Sequence, residues 1–157
     1  MNRTITVAPV RKSVRVAAAP ARAFEVFTAG FARWWPRSHT IGKVPQKEAV
    51  IEPRAGGRWF ERGEDGSECE WGQVLVWEPP SRIVLGWQLN ADFKFDPKVV
   101  TEVEVRFIAE GEGATRVELE HRNLERFGEQ GEVLREKVGS PNGWGKLLEE
   151  YATCVAR

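Results

Sequence analysis

Of the side chains that could do chemistry near neutral pH, His121 is the most suggestively placed. It closes an alternation in which Val117 and Leu119 point one way while Arg116, Glu118, Glu120 and Arg122 point the other. That register aims the imidazole at the apolar side of a strand. There it could anchor a ligand, act as acid or base, or bond a backbone group at the strand end. The second histidine, His39, follows Trp34-Trp35-Pro36 in a loop and could cap a pocket mouth. Glu61, Glu68 and Glu70 fall on strand-like segments. A carboxylate turned toward an apolar interior would have a raised pKa and could do acid work. The mixed pattern around residues 68–77 leaves their side undecided, and a solvated outer face is the plainer reading.

Other chemistries find little footing. Two histidines and two cysteines make no Cys-x2-Cys or His-Glu-x-x-His spacing, so no metal is expected. Gly56-Gly57 and Gly111-Glu112-Gly113 read as turn glycines, and no dinucleotide or phosphate-loop pattern occurs, so no cofactor is expected either. A nucleophile elbow is absent, which leaves Ser-His-Asp hydrolysis without support. Seven tryptophans, at 34, 35, 59, 71, 77, 87 and 144, accompany a single tyrosine and a single methionine. Each indole brings a large apolar surface and one N–H that needs a partner. They either pad the core or line a cavity, and both readings are open.

The elements that must hold these residues follow from periodicity. Val14 and Val16 alternate with Ser13 and Arg15 in a first strand. Pro20 suits the first turn of a helix, and Phe24, Phe27 and Phe31 then share one face, interrupted by Gly30. Trp35-Pro36 ends that helical region. Strands are expected at 47–53, 58–62, 68–78 and 83–89, with a hairpin signal at Gly63-Glu64-Asp65-Gly66 and a break at Pro79-Pro80-Ser81. Two clearer strands follow. Val103, Val105 and Phe107 alternate with charges, as do Val117, Leu119 and His121, which predicts an antiparallel sheet with one covered face and one wet face. Phe93 and Phe95 interrupt the chain between strands and either fold over a pocket as a lid or pack on its rim. Ser140 can cap a final helix with Pro141 at its first position. Trp144, Leu147, Leu148, Tyr151 and Val155 make its apolar stripe, with Lys146, Glu149, Glu150 and Thr153 opposite.

Bulk properties narrow the class. The 157 residues favour one α+β domain over 11–157 behind a loose lead-in at 1–10. Lys plus Arg and Asp plus Glu both number 23, which gives no electrostatic footprint for nucleic acid or an anionic membrane. No apolar run approaches the ~20 residues of a membrane helix, and Ala17-Ala18-Ala19-Pro20-Ala21 has no apolar segment before it to make an export signal. Cys69 and Cys154 read as free thiols in a reducing compartment, so a cytoplasmic location is expected.

Several segments in this order carry a resemblance. They are Pro20–Phe27 after the first strand, Trp34-Trp35-Pro36, Pro53–Trp59, Gly72–Leu75 leading to Pro79–Val84, Trp87, Thr115–His121 and the Gly143-Trp144 helix start. The chain resembles the START-like (SRPBCC, Bet v1-like) superfamily, in the bacterial branch related to the C-terminal domain of the Hsp90 ATPase activator. That resemblance implies a helix-grip fold: a strand, a short helical pair, six more strands and a long terminal helix gripped by a curved antiparallel sheet. It also implies a cavity between sheet and helix, since members bind lipids, hormones, polyketides or other apolar molecules and some are cyclases or hydrolases.

The expected activity is therefore binding of a small hydrophobic or amphipathic molecule, without catalysis. Trp35, Trp59, Trp71, Trp87, Phe107, His121, Trp144 and Leu148 are the expected lining, with His121 orienting the ligand. One alternative is a polyketide cyclase-like enzyme using His121 as acid or base. Another is a module touching an Hsp90-type chaperone. The eukaryotic activator contacts Hsp90 with an additional N-terminal domain that these residues do not hold, so this reading ranks lower. A homodimer is left open.

Overall fold

Alternation decides the sheet. In β6 (Thr101–Ala109) and β7 (Thr115–Arg122), Val103 lies opposite His121, Val105 opposite Leu119 and Phe107 opposite Val117, and all six are buried. The computed structural model describes residues 6–156. It adds β1 (Val10–Val16), β2 (Gln46–Ile51), β3 (Arg58–Gly63), β4 (Glu68–Glu78) and β5 (Arg82–Trp87). All pairings are antiparallel, in the order β1-β7-β6-β5-β4-β3-β2. Register shifts between Trp59 and Phe60 and between Val74 and Val76 bend the strands, and the sheet curls into a half-barrel. At the tightest approach a Cβ on Gly72 would lie 1.6 Å from the Gly86 carbonyl oxygen, so only glycine fits there.

Two helices, α1 (Pro20–Thr28) and α2 (Phe31–Trp34), carry the chain from β1 to the far edge. Pro20 sits in the first turn as its missing N–H requires. Phe24, Phe27 and Phe31 are buried together. The long helix α4 (Trp144–Val155) packs on β1, α1 and α2 through Trp144, Leu147, Leu148, Tyr151 and Val155, the stripe read from the sequence. Tyr151 anchors it to α1 by donating its hydroxyl to the Ala23 carbonyl at 2.6 Å.

The start of α4 differs from expectation. Gly143, not Ser140, is the cap. The Ser140 hydroxyl instead donates to the Lys137 carbonyl at 2.8 Å, which finishes α3 (Gln130–Val138), a helix that periodicity did not announce. Only Gly131, Leu134 and Val138 of α3 are buried, while Val133 is exposed, so its apolar stripe is too thin to read. A 3-10 turn, Leu124–Phe127, precedes it. Of the expected lead-in, residues 1–5 lie outside the described residues. Val7 is buried and Val10 already pairs with His121.

The outer face of the sheet is a lattice of ion pairs. Glu104 accepts from Arg82, Arg106 and Arg122. Arg58 engages Glu68 and Glu70, and Arg62 engages Glu48 and Glu68. Phe60 also lies on this side, covered by the Arg58 guanidinium 4.0 Å above its ring.

Candidate functional site

Between the concave sheet and the start of α4 lies a cavity of about 520 Å³. Its aromatic wall comes from four elements: Trp35 after α2, Trp71 on β4, Trp87 on β5 and Trp144 on α4. Ring centroids lie 5.1 Å apart for Trp35 and Trp71, 6.1 Å for Trp35 and Trp144, and 5.8 Å for Trp87 and Trp144. Leu89, Leu147 and Val138 add aliphatic surface, and Ser38, His39, Lys137 and Asn142 bring polar atoms to the rim.

Each of the four indoles is fixed by its only donor. Trp35 Nε1 donates to the His39 carbonyl at 3.0 Å and Trp71 Nε1 to the Glu61 carboxylate at 3.1 Å. Trp87 Nε1 donates to the Leu89 carbonyl at 2.7 Å and Trp144 Nε1 to His121 Nδ1 at 3.1 Å. The buried indole N–H groups without a partner among the described residues belong to Trp34 and Trp59, which do not line the cavity. The cavity therefore has rigid apolar walls and no unpaired indole donor.

His121 is fully buried and stands behind this wall. Trp144 can only donate to Nδ1. Thr101 Oγ1 donates to the Trp87 carbonyl at 3.1 Å, so at 2.8 Å from Nε2 it must accept. The imidazole is thus the neutral tautomer with its proton on Nε2, and both nitrogens are occupied. Burial pushes its pKa down to about 3, which agrees with that tautomer. The relay Trp144–His121–Thr101–Trp87 ties α4 to β7, β6 and β5: it fixes the indole of Trp144 and the backbone carbonyl of Trp87.

Glu61 plays the corresponding part for the other pair. It lies on the inner side of β3 and is buried. Its carboxylate accepts from Trp71 Nε1, from the Ile41 backbone N–H at 2.6 Å, from Gln46 Nε2 at 3.5 Å and from the Thr40 hydroxyl. Gln46 also donates to the His39 carbonyl, the acceptor of Trp35. One carboxylate therefore fixes Trp71 and the rim loop that holds Trp35 in place. Alternation from Trp59 was the signal that could have placed Glu61 inside, and the register shift at Trp59/Phe60 obscures it.

The structure brings Trp35, Trp71, Trp87 and Trp144 together at the cavity. Trp59, Phe107 and Leu148 are buried in the core instead. Leu147 takes the cavity position beside Leu148, because neighbours on a helix point about 100° apart. Glu68 and Glu70 face outward to arginine partners. His39 is at the rim, its Nε2 donating to the Asn142 carbonyl at 3.2 Å. Phe93 lines the cavity too, at a positive φ of 57°, a costly backbone for an aromatic residue. Asn90 Oδ1 supports that turn by accepting from the Asp92 and Lys94 N–H groups, while Phe95 is exposed and does not line the cavity. Lys137 Nζ lies 5.4 Å over the Phe93 ring.

Cys69 and Cys154 are free thiols. Among the described residues no group of three His, Cys, Asp or Glu could hold a metal, and no helix is long and apolar enough to cross a membrane.

The family model described as activator of Hsp90 ATPase homolog 1-like protein matches residues 17–156. The chain is 38% identical to the anthrahydroquino-γ-pyrone synthase Txn09, solved in complex with SUM, over 94% of this chain and 97% of that one, with a TM-score of 0.66. It is 35% identical to CalC from Micromonospora echinospora, a self-sacrificing resistance protein, over 94% and 93%, with a TM-score of 0.70. PFC0360w, an HSP90 activator from Plasmodium falciparum, shares the fold at 21% identity over 94% and 96%, with a TM-score of 0.62. No curated protein matches the sequence.

Proposed function

The chain belongs to the activator of Hsp90 ATPase homolog 1-like family, and from that premise we propose that it binds a flat, apolar or amphipathic small molecule in the tryptophan-walled cavity. The observation that carries this reading is the fixing of all four wall indoles through their N–H groups. A wall held in place before the ligand arrives costs little ordering on binding. A volume of about 520 Å³ falls in the range of small-molecule sites. The apolar faces and edges of the indoles suit fused rings, the class named by the synthase relative.

Catalysis is the second reading, and the 38% identical synthase favours it. His121 is a poor acid or base for it, since both nitrogens are engaged and it does not line the cavity. Any proton transfer would fall to His39, Glu136 or Lys137, which do. For the chaperone module, the likeness to the Plasmodium activator carries the fold alone. The outer sheet face offers that reading ion pairs in place of an apolar patch.

Titration with 1,8-dihydroxyanthraquinone, followed by tryptophan fluorescence, tests binding. Quenching should saturate in the wild type. Leu147→Trp fills the cavity and should weaken uptake about tenfold or more while thermal unfolding stays cooperative. Equal quenching of both proteins would place the ligand elsewhere.

A further inference from the structure

A second groove lies beyond the cavity wall, and its chemistry is the opposite. Nearly every arginine among the described residues has a carboxylate or a backbone carbonyl as partner. Arg11, Arg15, Arg54, Arg58, Arg62, Arg82, Arg106, Arg116 and Arg122 pair with glutamates. Arg126 and Arg135 donate to the Val100 and Ala8 carbonyls. The three without a partner among the described residues are Arg22, Arg33 and Arg37, and all three line one groove of about 530 Å³. Arg22 comes from α1, Arg33 from α2 and Arg37 from the loop beyond it. In a chain whose formal net charge is zero, three unpaired guanidiniums around one recess are a concentrated positive field.

We propose that this groove binds a small phosphorylated molecule. Each guanidinium presents a planar fork of N–H donors that matches phosphate oxygens two at a time. A carboxylate would bring one negative charge to three positive ones, whereas a phosphate monoester brings nearly two and offers three free oxygens. The groove is larger than a bare ion needs. Val26, Ala32 and the Trp35 side chain supply apolar surface for a ring or chain attached to the phosphate. Trp35 also lines the aromatic cavity, so this residue is shared by the two sites.

Phenyl phosphate is the probe, followed by NMR of the arginine Nε–Hε groups and the Trp35 indole N–H. Saturable shifts with a Kd below about 1 mM are expected, tighter than for inorganic phosphate. Arg33→Gln and Arg37→Gln should each weaken binding about tenfold. All three arginine side chains are exposed, so these variants should fold. Arg15→Gln, outside the groove, should bind as wild type. Leu147→Trp should also bind phenyl phosphate normally, which separates this site from the aromatic cavity. Three results would overturn the proposal: no saturation up to about 10 mM, the same loss in Arg15→Gln, or binding of polyglutamate or anionic vesicles without binding of phenyl phosphate.

Discussion

His121 shows how a chemically capable residue becomes a structural one. Its spacing with Val117 and Leu119 placed it inside, and the structure agrees. Its partners were beyond the reach of the sequence, because Thr101 and Trp144 are 20 and 23 residues away and meet it only after the sheet curls. A pH dependence follows. In the unfolded chain the imidazole returns to its ordinary value of 6.5, whereas burial holds it at about 3 in the native state. The unfolded state therefore takes up the proton first as pH falls. The stability tied to the neutral form is complete above 6.5 and declines between 6.5 and about 3, by up to about 1.4 kcal/mol per pH unit. Urea unfolding at pH 7.5 and pH 5 should show this loss. His121→Ala should flatten it and cost about 2–4 kcal/mol at pH 7.5, by opening a cavity and orphaning the Trp144 N–H. Equal pH dependence in the variant would refute the buried neutral tautomer. Glu104 acts in a lower window. Burial pushes its carboxyl up, but Arg122, Arg82 and Arg106 override this and hold it at about 2. Its contribution is present above its ordinary 4.5 and fades as pH falls toward about 2.

At the scale of elements, legibility followed the strength of the pattern. The strict alternation of β6 and β7 and the stripe of α4 were readable because one face of each is fully covered. Helix α3 was not readable, since it buries only three residues against its neighbours. The site suffered for the same reason. Lys137, Val138, Ser140 and Asn142 reach the cavity from the end of α3 and the turn after it, a region with no periodicity to follow. The rim loop around residues 38–46 also lacks regular structure until β2, and its order comes from Glu61. Hydrogen bonds to a carboxylate are worth about 1.5–3 kcal/mol each. Glu61→Gln keeps the shape but removes the charge, so amide exchange at Ile41 should accelerate about tenfold or more. Unchanged exchange would mean that the loop is held by other contacts.

For the whole molecule, tryptophan content was the earliest hint and the least decisive one. Seven indoles could have filled the space between sheet and helix. The structure divides them by what their N–H groups find. Four are fixed around the cavity, Trp34 and Trp59 are buried without a partner and pad the core, and Trp77 is half-buried against Phe24. That division depends on carbonyl, carboxylate and imidazole acceptors, mostly from other elements, so composition could not foretell it. The cavity lies between the start of α4 and the inner face of β4 and β5.

On this reading the cavity is occupied in the working protein. Native mass spectrometry of the protein purified gently from its own cells measures that directly. A defined added mass is expected, released on denaturation, displaced by 1,8-dihydroxyanthraquinone and missing from Leu147→Trp. A bare mass from a wild-type protein that also takes up no anthraquinone would contradict this reading.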